Sequence, residues 1–241
     1  MRGNMPLYLS FRLHSLNSEL TMHTVTEALT EALTESVTLY ASPGACSLVT
    51  MIALEHARVP YTLRNVILAK GEHKRPEYLA INPKGKVPAL NLNGRVITET
   101  PAILIALNSA WPQVRLFPES VDSIQRFSDL SYLASGVHPL VTRYCRPDLI
   151  AGDALVTEVK ERAETALAGI FSQLDATLTH QPYWYGDSWS AMDAYWFWVI
   201  RRLTGAGFAL NTYQHVTMYF EHMHTLDAVE LALKHSTVRH P

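Results

Sequence analysis

The stretch VTLYASPGACSLVTMIALEHAR, residues 37–58, decides the fold. It opens with a β-prone run up to Tyr40, continues through a Ser-Pro-Gly turn, and then repeats apolar residues with helical spacing from Cys46 to Arg58. Residues 59–66 alternate apolar and polar side chains, which predicts a second strand, parallel to the first if the helix is the crossover between them. The segment therefore predicts a βαβ unit.

A β-hairpin and a helix are predicted farther along the chain. Residues 86–92 and 95–98 are β-prone and are joined by Asn93-Gly94, the strongest short hairpin signal. Thr100 then predicts the start of a helix, as a capping residue followed by proline at the first helical position. The order β-α-β followed by β-β-α predicts an α/β N-terminal domain at residues 37–112.

The remainder of the chain carries little strand signal. Apolar residues keep a spacing of three or four across residues 156–178, which predicts a long amphipathic helix. Ser190 and Asp193 form a capping box ahead of residues 194–200, a run that is apolar on all sides. We therefore expect an all-α C-terminal domain at residues 118–241.

The first 36 residues differ from the rest of the chain. They end in a short repeat, TEALTEALTE at residues 26–35, and Arg12 and His14 interrupt the apolar stretch that a signal peptide would need. We expect residues 1–36 to be a flexible N-terminal extension. A short amphipathic helix is the alternative, because Val25, Leu29 and Leu33 recur every four residues.

Composition and charge exclude several classes of partner. Twenty Lys and Arg against twenty-two Asp and Glu leave a net charge of −2, so no basic field predicts a nucleic-acid partner. The longest uncharged stretch, residues 36–54, is broken by Pro43-Gly44, and we expect no membrane partner. The two cysteines, Cys46 and Cys145, are too few for a disulfide framework or a zinc site, which predicts a cytoplasmic protein without a metal.

Cys46 is the first candidate for chemistry, because it lies in the first turn of a helix that leaves the end of a strand. Unpaired backbone N–H groups and the positive end of the helix dipole favour an anion there. Such a position lowers the pKa of a thiol or holds a thiolate that belongs to a bound molecule. Ser47 offers a second hydrogen-bond donor, and a buried packing cysteine is the alternative.

Two dipeptides predict the binding of a small peptide. A cis bond at Val87-Pro88, at the start of a strand, would expose the N–H and C=O of Val87 to an extended ligand. At Glu99-Thr100, the helix start can bind a carboxylate while the Glu99 side chain accepts a hydrogen bond from an ammonium. Taken singly, each dipeptide also fits an ordinary strand start or helix cap.

In order and spacing, three motifs resemble those of the bacterial beta-class glutathione transferases: YASPGACSL at residues 40–48, NPKGKVPAL at residues 82–90 and TETPAI at residues 98–103. The resemblance covers about residues 37–235. It implies a thioredoxin-like N-terminal domain that binds glutathione, an α-helical domain that covers a hydrophobic electrophile, a role in detoxification, and a homodimer.

The same resemblance implies roles for individual residues. Cys46 matches the active-site cysteine, and His138 matches a histidine that lines the thiol pocket. The remaining matches are glutathione contacts: Val87 with Pro88 at the cysteinyl backbone, Glu99 with Thr100 at the γ-glutamyl end, Lys70 at the glycyl carboxylate, and Ser131 in place of a frequent asparagine.

Three departures keep alternative functions open, because Ala41, Ser131 and Pro139 each lack a polar group that family members often carry at that position. The leading hypothesis is conjugation of the glutathione thiolate to a hydrophobic electrophile. In a second, Cys46 itself forms a mixed disulfide with glutathione and reduces substrates by thiol–disulfide exchange. In a third, the protein binds glutathione or a hydrophobic ligand without catalysis.

Overall fold

A four-stranded mixed sheet organises the N-terminal half of the protein, whose computed structural model describes residues 36–237. The strands are β1 (Val37–Ala41), β2 (Thr62–Asn65), β3 (Ala89–Leu92) and β4 (Arg95–Thr98), in the spatial order β2-β1-β3-β4. β1 runs parallel to β2 and antiparallel to β3, and β3 pairs antiparallel with β4. The predicted βαβ unit and hairpin are confirmed.

Two strands are shorter than predicted. β2 begins at Thr62 because Arg58, in the left-handed conformation with φ 51°, ends the preceding helix and Pro60 follows. β3 begins at Ala89 because Pro88 has no N–H to contribute to the ladder.

The N-terminal domain has three helices: α1 (Ser47–Ala57), α2 (Pro76–Leu79) and α3 (Thr100–Ala110). The start of α3 corrects a prediction, since Thr100 is the first helical residue and Glu99 is the N-cap. β4 ends at Thr98, so a single residue joins strand to helix. The chain turns there with a φ of 72° at Glu99, a conformation that non-glycine residues rarely adopt.

The C-terminal domain is mostly helical, as predicted. Its helices are α4 (Ser123–Ser131), α5 (His138–Cys145), α6 (Val156–Leu178), α7 (Ala191–Thr204), α8 (Gln214–His224) and α9 (Asp227–Thr237). A π-helical turn, Tyr132–Val137, joins α4 to α5. The long helix predicted at residues 156–178 is α6, and the run predicted to be buried on all sides lies in α7, whose residues 191–200 are all buried.

Asp193 fixes the start of α7. Its buried carboxylate accepts hydrogen bonds from the N–H and the hydroxyl of Ser190 at 2.8 and 2.7 Å, from the N–H of Trp184 at 2.7 Å, and from the Tyr219 hydroxyl at 3.0 Å. The predicted capping box is confirmed, and Tyr219 connects it to α8. Burial raises the pKa of Asp193 to about 6, although these donors act in the opposite direction.

The predicted extension, residues 1–36, lies outside the described residues except for Ser36. The domain boundaries at residues 37–112 and 118–241 stay predictions. Within residues 36–237, no helix is long and apolar enough to cross a membrane.

Candidate active site

The turn between β1 and α1 is held closed by Ser47. Its hydroxyl accepts a hydrogen bond from the Ser42 N–H at 3.1 Å and donates to the Ser42 carbonyl at 3.2 Å, and the side chain is fully buried. The sequence offers Ser47 as a second hydrogen-bond donor, and in this structure its only proton is directed at the turn itself. Ser47 shapes the turn that carries Cys46.

The Cys46 thiol lies where this turn meets the loop before β3. Its Sγ–H donates to the Val87 carbonyl, with Sγ and O 3.6 Å apart, and the Thr100 hydroxyl hydrogen-bonds to the thiol. Burial raises the pKa of Cys46 to about 11. The contacts with Thr100 and its own backbone N–H, and the charge of Lys86, lower that pKa, while the Glu99 charge raises it. The thiol is therefore protonated and uncharged at neutral pH.

The loop before β3 is shaped so that the Val87 backbone faces this thiol. The Val87-Pro88 bond is cis, which is the conformation that exposes the Val87 backbone to a ligand. The Lys86 carbonyl accepts hydrogen bonds from the Tyr78 hydroxyl at 2.5 Å and the Asn82 side-chain amide at 2.7 Å. The N–H of Val87 has no hydrogen-bond acceptor among residues 36–237, so it is available to a ligand.

Glu99 and Thr100 face different surroundings. The Glu99 carboxylate is exposed and pairs with the Lys84 ammonium at 2.8 Å, which also donates to the Thr98 hydroxyl at 3.1 Å. Thr100 is buried, and its hydroxyl contacts the Cys46 thiol. The sequence predicts instead that this hydroxyl binds the carboxylate of a ligand. The first backbone N–H groups of α3 remain there for an anion.

Lys70 lies in the loop after β2, on the same edge of the sheet as Cys46. The Leu68 N–H donates to the Ser42 hydroxyl at 3.4 Å, which ties this loop to the β1–α1 turn. The loop also approaches the Val87 segment, because a Cβ added to Gly85, whose φ is 58°, would lie 3.0 Å from the His73 carbonyl oxygen. Lys74 is a second exposed cation in this loop, and sequence reasoning missed it.

His138 begins α5, directly after the π-helical turn. Its Nδ1 lies 2.9 Å from the Tyr195 hydroxyl, and its ring centroid is 4.4 Å from that of Trp198. Burial, and then the charge of Lys86, lower the pKa of His138 to about 4, so the ring is neutral at pH 7. Trp198 connects this ring to the turn that carries Cys46, because it packs on His138 and hydrogen-bonds to the Gly44 carbonyl.

Ser131 lies apart from this group. It is the last residue of α4 and lines a groove of about 610 Å³ with Glu99, Pro101 and Ile105. The structure therefore places Ser131 in the same groove as Glu99, and Cys46 does not line that groove.

Two residues near the thiol were missed by the sequence analysis. Tyr195 and Trp198 belong to the apolar run of α7, which predicts packing. Trp198 also donates its indole N–H to the Gly44 carbonyl at 3.4 Å. Burial raises the pKa of the Tyr195 hydroxyl, and negative charge at Cys46 or Glu99 raises it further. The available signal was their spacing of three residues, which puts two polar ring groups on one face of a helix.

No group of three or more His, Cys, Asp or Glu side chains that could hold a metal ion occurs within residues 36–237. Two of the C-terminal histidines instead have ordinary partners. His215 pairs with Asp175 at 3.2 Å, and His222 contacts the Tyr183 hydroxyl at 2.9 Å.

Comparisons with known proteins agree with this geometry. The family described as "Glutathione S-transferase, N-terminal domain" matches residues 44–110, and "Glutathione S-transferase, C-terminal domain" matches residues 157–222. The glutathione S-transferase GstA of Escherichia coli O157:H7 is 31% identical over 200 residues, which cover 81% of this chain and 96% of GstA. A glutathione transferase homolog from Sulfitobacter, solved with bound glutathione, is 30% identical with a TM-score of 0.75, covering 84% of this chain and 99% of its own. A bacterial beta-class glutathione S-transferase from Sphingomonas chungbukensis is 30% identical with a TM-score of 0.73, covering 84% of this chain and 100% of its own.

Proposed function

This chain belongs to the glutathione S-transferase family, and on that premise we propose that the residues around Cys46 bind glutathione and present its sulfur to a hydrophobic electrophile. The protein is a glutathione transferase, with a thioredoxin-like N-terminal domain and glutathione as co-substrate. The observation that carries the proposed site is the contact between the Cys46 thiol and the Val87 carbonyl, which joins an anion-binding turn to a loop suited to main-chain pairing.

In the proposed complex, glutathione lies extended along the loop before β3. Its cysteinyl backbone pairs with the free N–H and the C=O of Val87. The γ-glutamyl carboxylate binds the N–H groups at the start of α3, and the ammonium binds Glu99 in place of Lys84. The glycyl carboxylate meets the cations of the loop after β2, Lys70 and Lys74.

The chemistry follows from where the sulfur then lies. The glutathione thiol loses its proton to solvent, and the thiolate accepts hydrogen bonds from the neutral His138 ring and from the Cys46 S–H. The S–H turns to the thiolate from the Val87 carbonyl, which then accepts from the cysteinyl N–H of glutathione. Lowering the pKa of the bound thiol by one unit corresponds to about 1.4 kcal/mol and raises the thiolate fraction about tenfold at neutral pH. The thiolate attacks the electrophilic carbon, forming the C–S bond, and any leaving group departs with the electron pair.

The burial of Cys46 favours hydrogen-bond donation over thiol–disulfide exchange. Exchange requires a thiolate at Cys46, whereas a pKa of about 11 keeps this thiol protonated at neutral pH. A neutral thiol is a donor, which is what a bound thiolate needs.

A homodimer accounts for the groove beside Ser131. Ile105 and Phe127, which line it, are 38% and 59% exposed, although both are apolar. Exposed apolar patches of this kind mark interaction surfaces. We propose that a second copy covers this groove, and that the protein works in the cytoplasm, where its two free cysteines remain reduced.

Glutathione titration followed by a screen of hydrophobic electrophiles tests the proposed function. The full chain is expected to bind glutathione and to turn over at least one electrophile. Glu99→Gln should weaken glutathione binding about tenfold through the lost charge-assisted bond, whereas Glu119→Gln, at an exposed ion pair with Arg115, should not. Binding without turnover across the screen contradicts transfer, and equal binding by both variants contradicts the proposed γ-glutamyl site.

A further inference from the structure

The Tyr195 hydroxyl is buried inside the protein beside the proposed thiol site. Tyr195 is 1% exposed, so its O–H must donate to a protein acceptor. The one acceptor within reach among residues 36–237 is Nδ1 of His138, at 2.9 Å. The geometry therefore assigns Nδ1 as the acceptor in this pair.

This hydrogen bond determines which nitrogen of His138 carries the proton. A neutral imidazole has one N–H and one bare nitrogen. Because Nδ1 accepts from Tyr195, the proton of the neutral ring lies on Nε2, and His138 keeps one donor for another group. If Nδ1 carried the proton, the buried hydroxyl of Tyr195 would lose its acceptor.

Trp198 holds the same ring from a second direction. It lies one helical turn after Tyr195 on α7, packs on the His138 ring at 4.4 Å between centroids, and donates its indole N–H to the Gly44 carbonyl in the turn that carries Cys46. α7 thus fixes the histidine and the cysteine turn relative to each other.

We propose that Tyr195 is a positioning residue for glutathione transfer, which holds His138 in the Nε2–H form and so aims a donor at the glutathione sulfur. The inference rests on the proposed function, because it requires that His138 stabilise the thiolate. Tyr195 is enclosed by protein and acts only through the histidine.

A double-mutant cycle tests this directly. Tyr195→Phe keeps the ring and removes one hydrogen bond, so kcat for conjugation should fall about threefold to tenfold while the KM for glutathione stays within about twofold. In the His138→Ala background, Tyr195→Phe should have no further effect. Tyr144→Phe is the matched control. Tyr144 is also buried, but its ring packs on that of Phe208, with 5.7 Å between the ring centroids, so this variant should leave kcat unchanged.

¹⁵N NMR gives a second readout, the tautomer of His138. Its ring signals are identified among those of the 11 histidines because they are lost in His138→Ala. The wild type should show a protonated Nε2 and a bare Nδ1, and Tyr195→Phe a mixture of tautomers. If His138→Ala conjugates at the wild-type rate, the proposed role of His138 fails and this inference fails with it. If His138→Ala is slow but Tyr195→Phe costs the same in both backgrounds, or leaves the tautomer unchanged, the inference alone is overturned.

Discussion

Replacing Cys46 with alanine and with serine separates a donor from a nucleophile. The wild-type thiol is protonated at neutral pH because burial raises its pKa to about 11. A hydrogen bond to a charged acceptor contributes about 1.5–3 kcal/mol, and the lower end applies because a thiol is a weak donor. Cys46→Ala should therefore raise the pKa of bound glutathione by about one unit and slow conjugation about tenfold at neutral pH.

The pH–rate profile measures this effect. The rate in Cys46→Ala should recover as the pH rises past the new pKa of glutathione, because the thiolate then forms without the donor. Cys46→Ser keeps a hydroxyl donor and should stay within about threefold of the wild type, while both variants bind glutathione as the wild type does. Equal inactivation of the serine and alanine variants at every pH, together with a glutathione adduct on wild-type Cys46 that turns over, would refute the donor role.

Further predictions concern the ion pair at Glu99, the start of α7 and the groove beside Ser131. Lys84→Met removes the cation that pairs with Glu99 in the absence of ligand. Because this exposed ion pair contributes at most about 1 kcal/mol, the KM for glutathione should fall by about fivefold or less. An increase in steady-state KM would mean that Lys84 helps to hold the ligand. Asp193→Ala removes the carboxylate that accepts four hydrogen bonds and should lower the free energy of unfolding by about 3 kcal/mol or more in urea titrations. Burial raises the pKa of Asp193 in the folded state to about 6, above its value of about 4 in the unfolded state. Ionisation of Asp193 should therefore lower the free energy of unfolding as the pH rises from about 4 to about 6, and Asp193→Asn should not show this decrease. Phe127→Glu should convert a dimer into a monomer in sedimentation experiments, and an unchanged sedimentation coefficient would place the interface elsewhere.

The predictable part of the fold rests on local chemistry. Asn93-Gly94 adopts positive φ at both residues, 53° and 84°, which is what a tight hairpin turn requires, so the β3–β4 pair could be read from two residues. The capping box of Ser190 and Asp193 likewise joins positions three residues apart. Such signals need no knowledge of the rest of the molecule.

The parts that were wrong or missed depend on contacts between distant segments. Thr100 reads as a cap, but the pairing of β3 with β4 runs to Thr98 and forces the cap onto Glu99. The sequence offers Ser47 as a donor to a ligand, but its hydroxyl is buried in the β1–α1 turn and donates to the Ser42 carbonyl. Tyr195 reads as core, and only the packing of α7 against His138 and the Gly44 turn gives its hydroxyl a function.

The burial around the thiol has one consistent electrostatic effect. It raises the pKa of Cys46 to about 11 and lowers that of His138 to about 4, so both side chains stay uncharged across the pH range in which glutathione ionises. Two neutral donors that do not titrate with the substrate stabilise negative charge only where it develops, on the ligand sulfur. The pH dependence of conjugation should therefore follow one ionisation, that of bound glutathione, between about pH 5 and 9, and a second inflection in this range that disappears in His138→Ala would show that the histidine titrates after all.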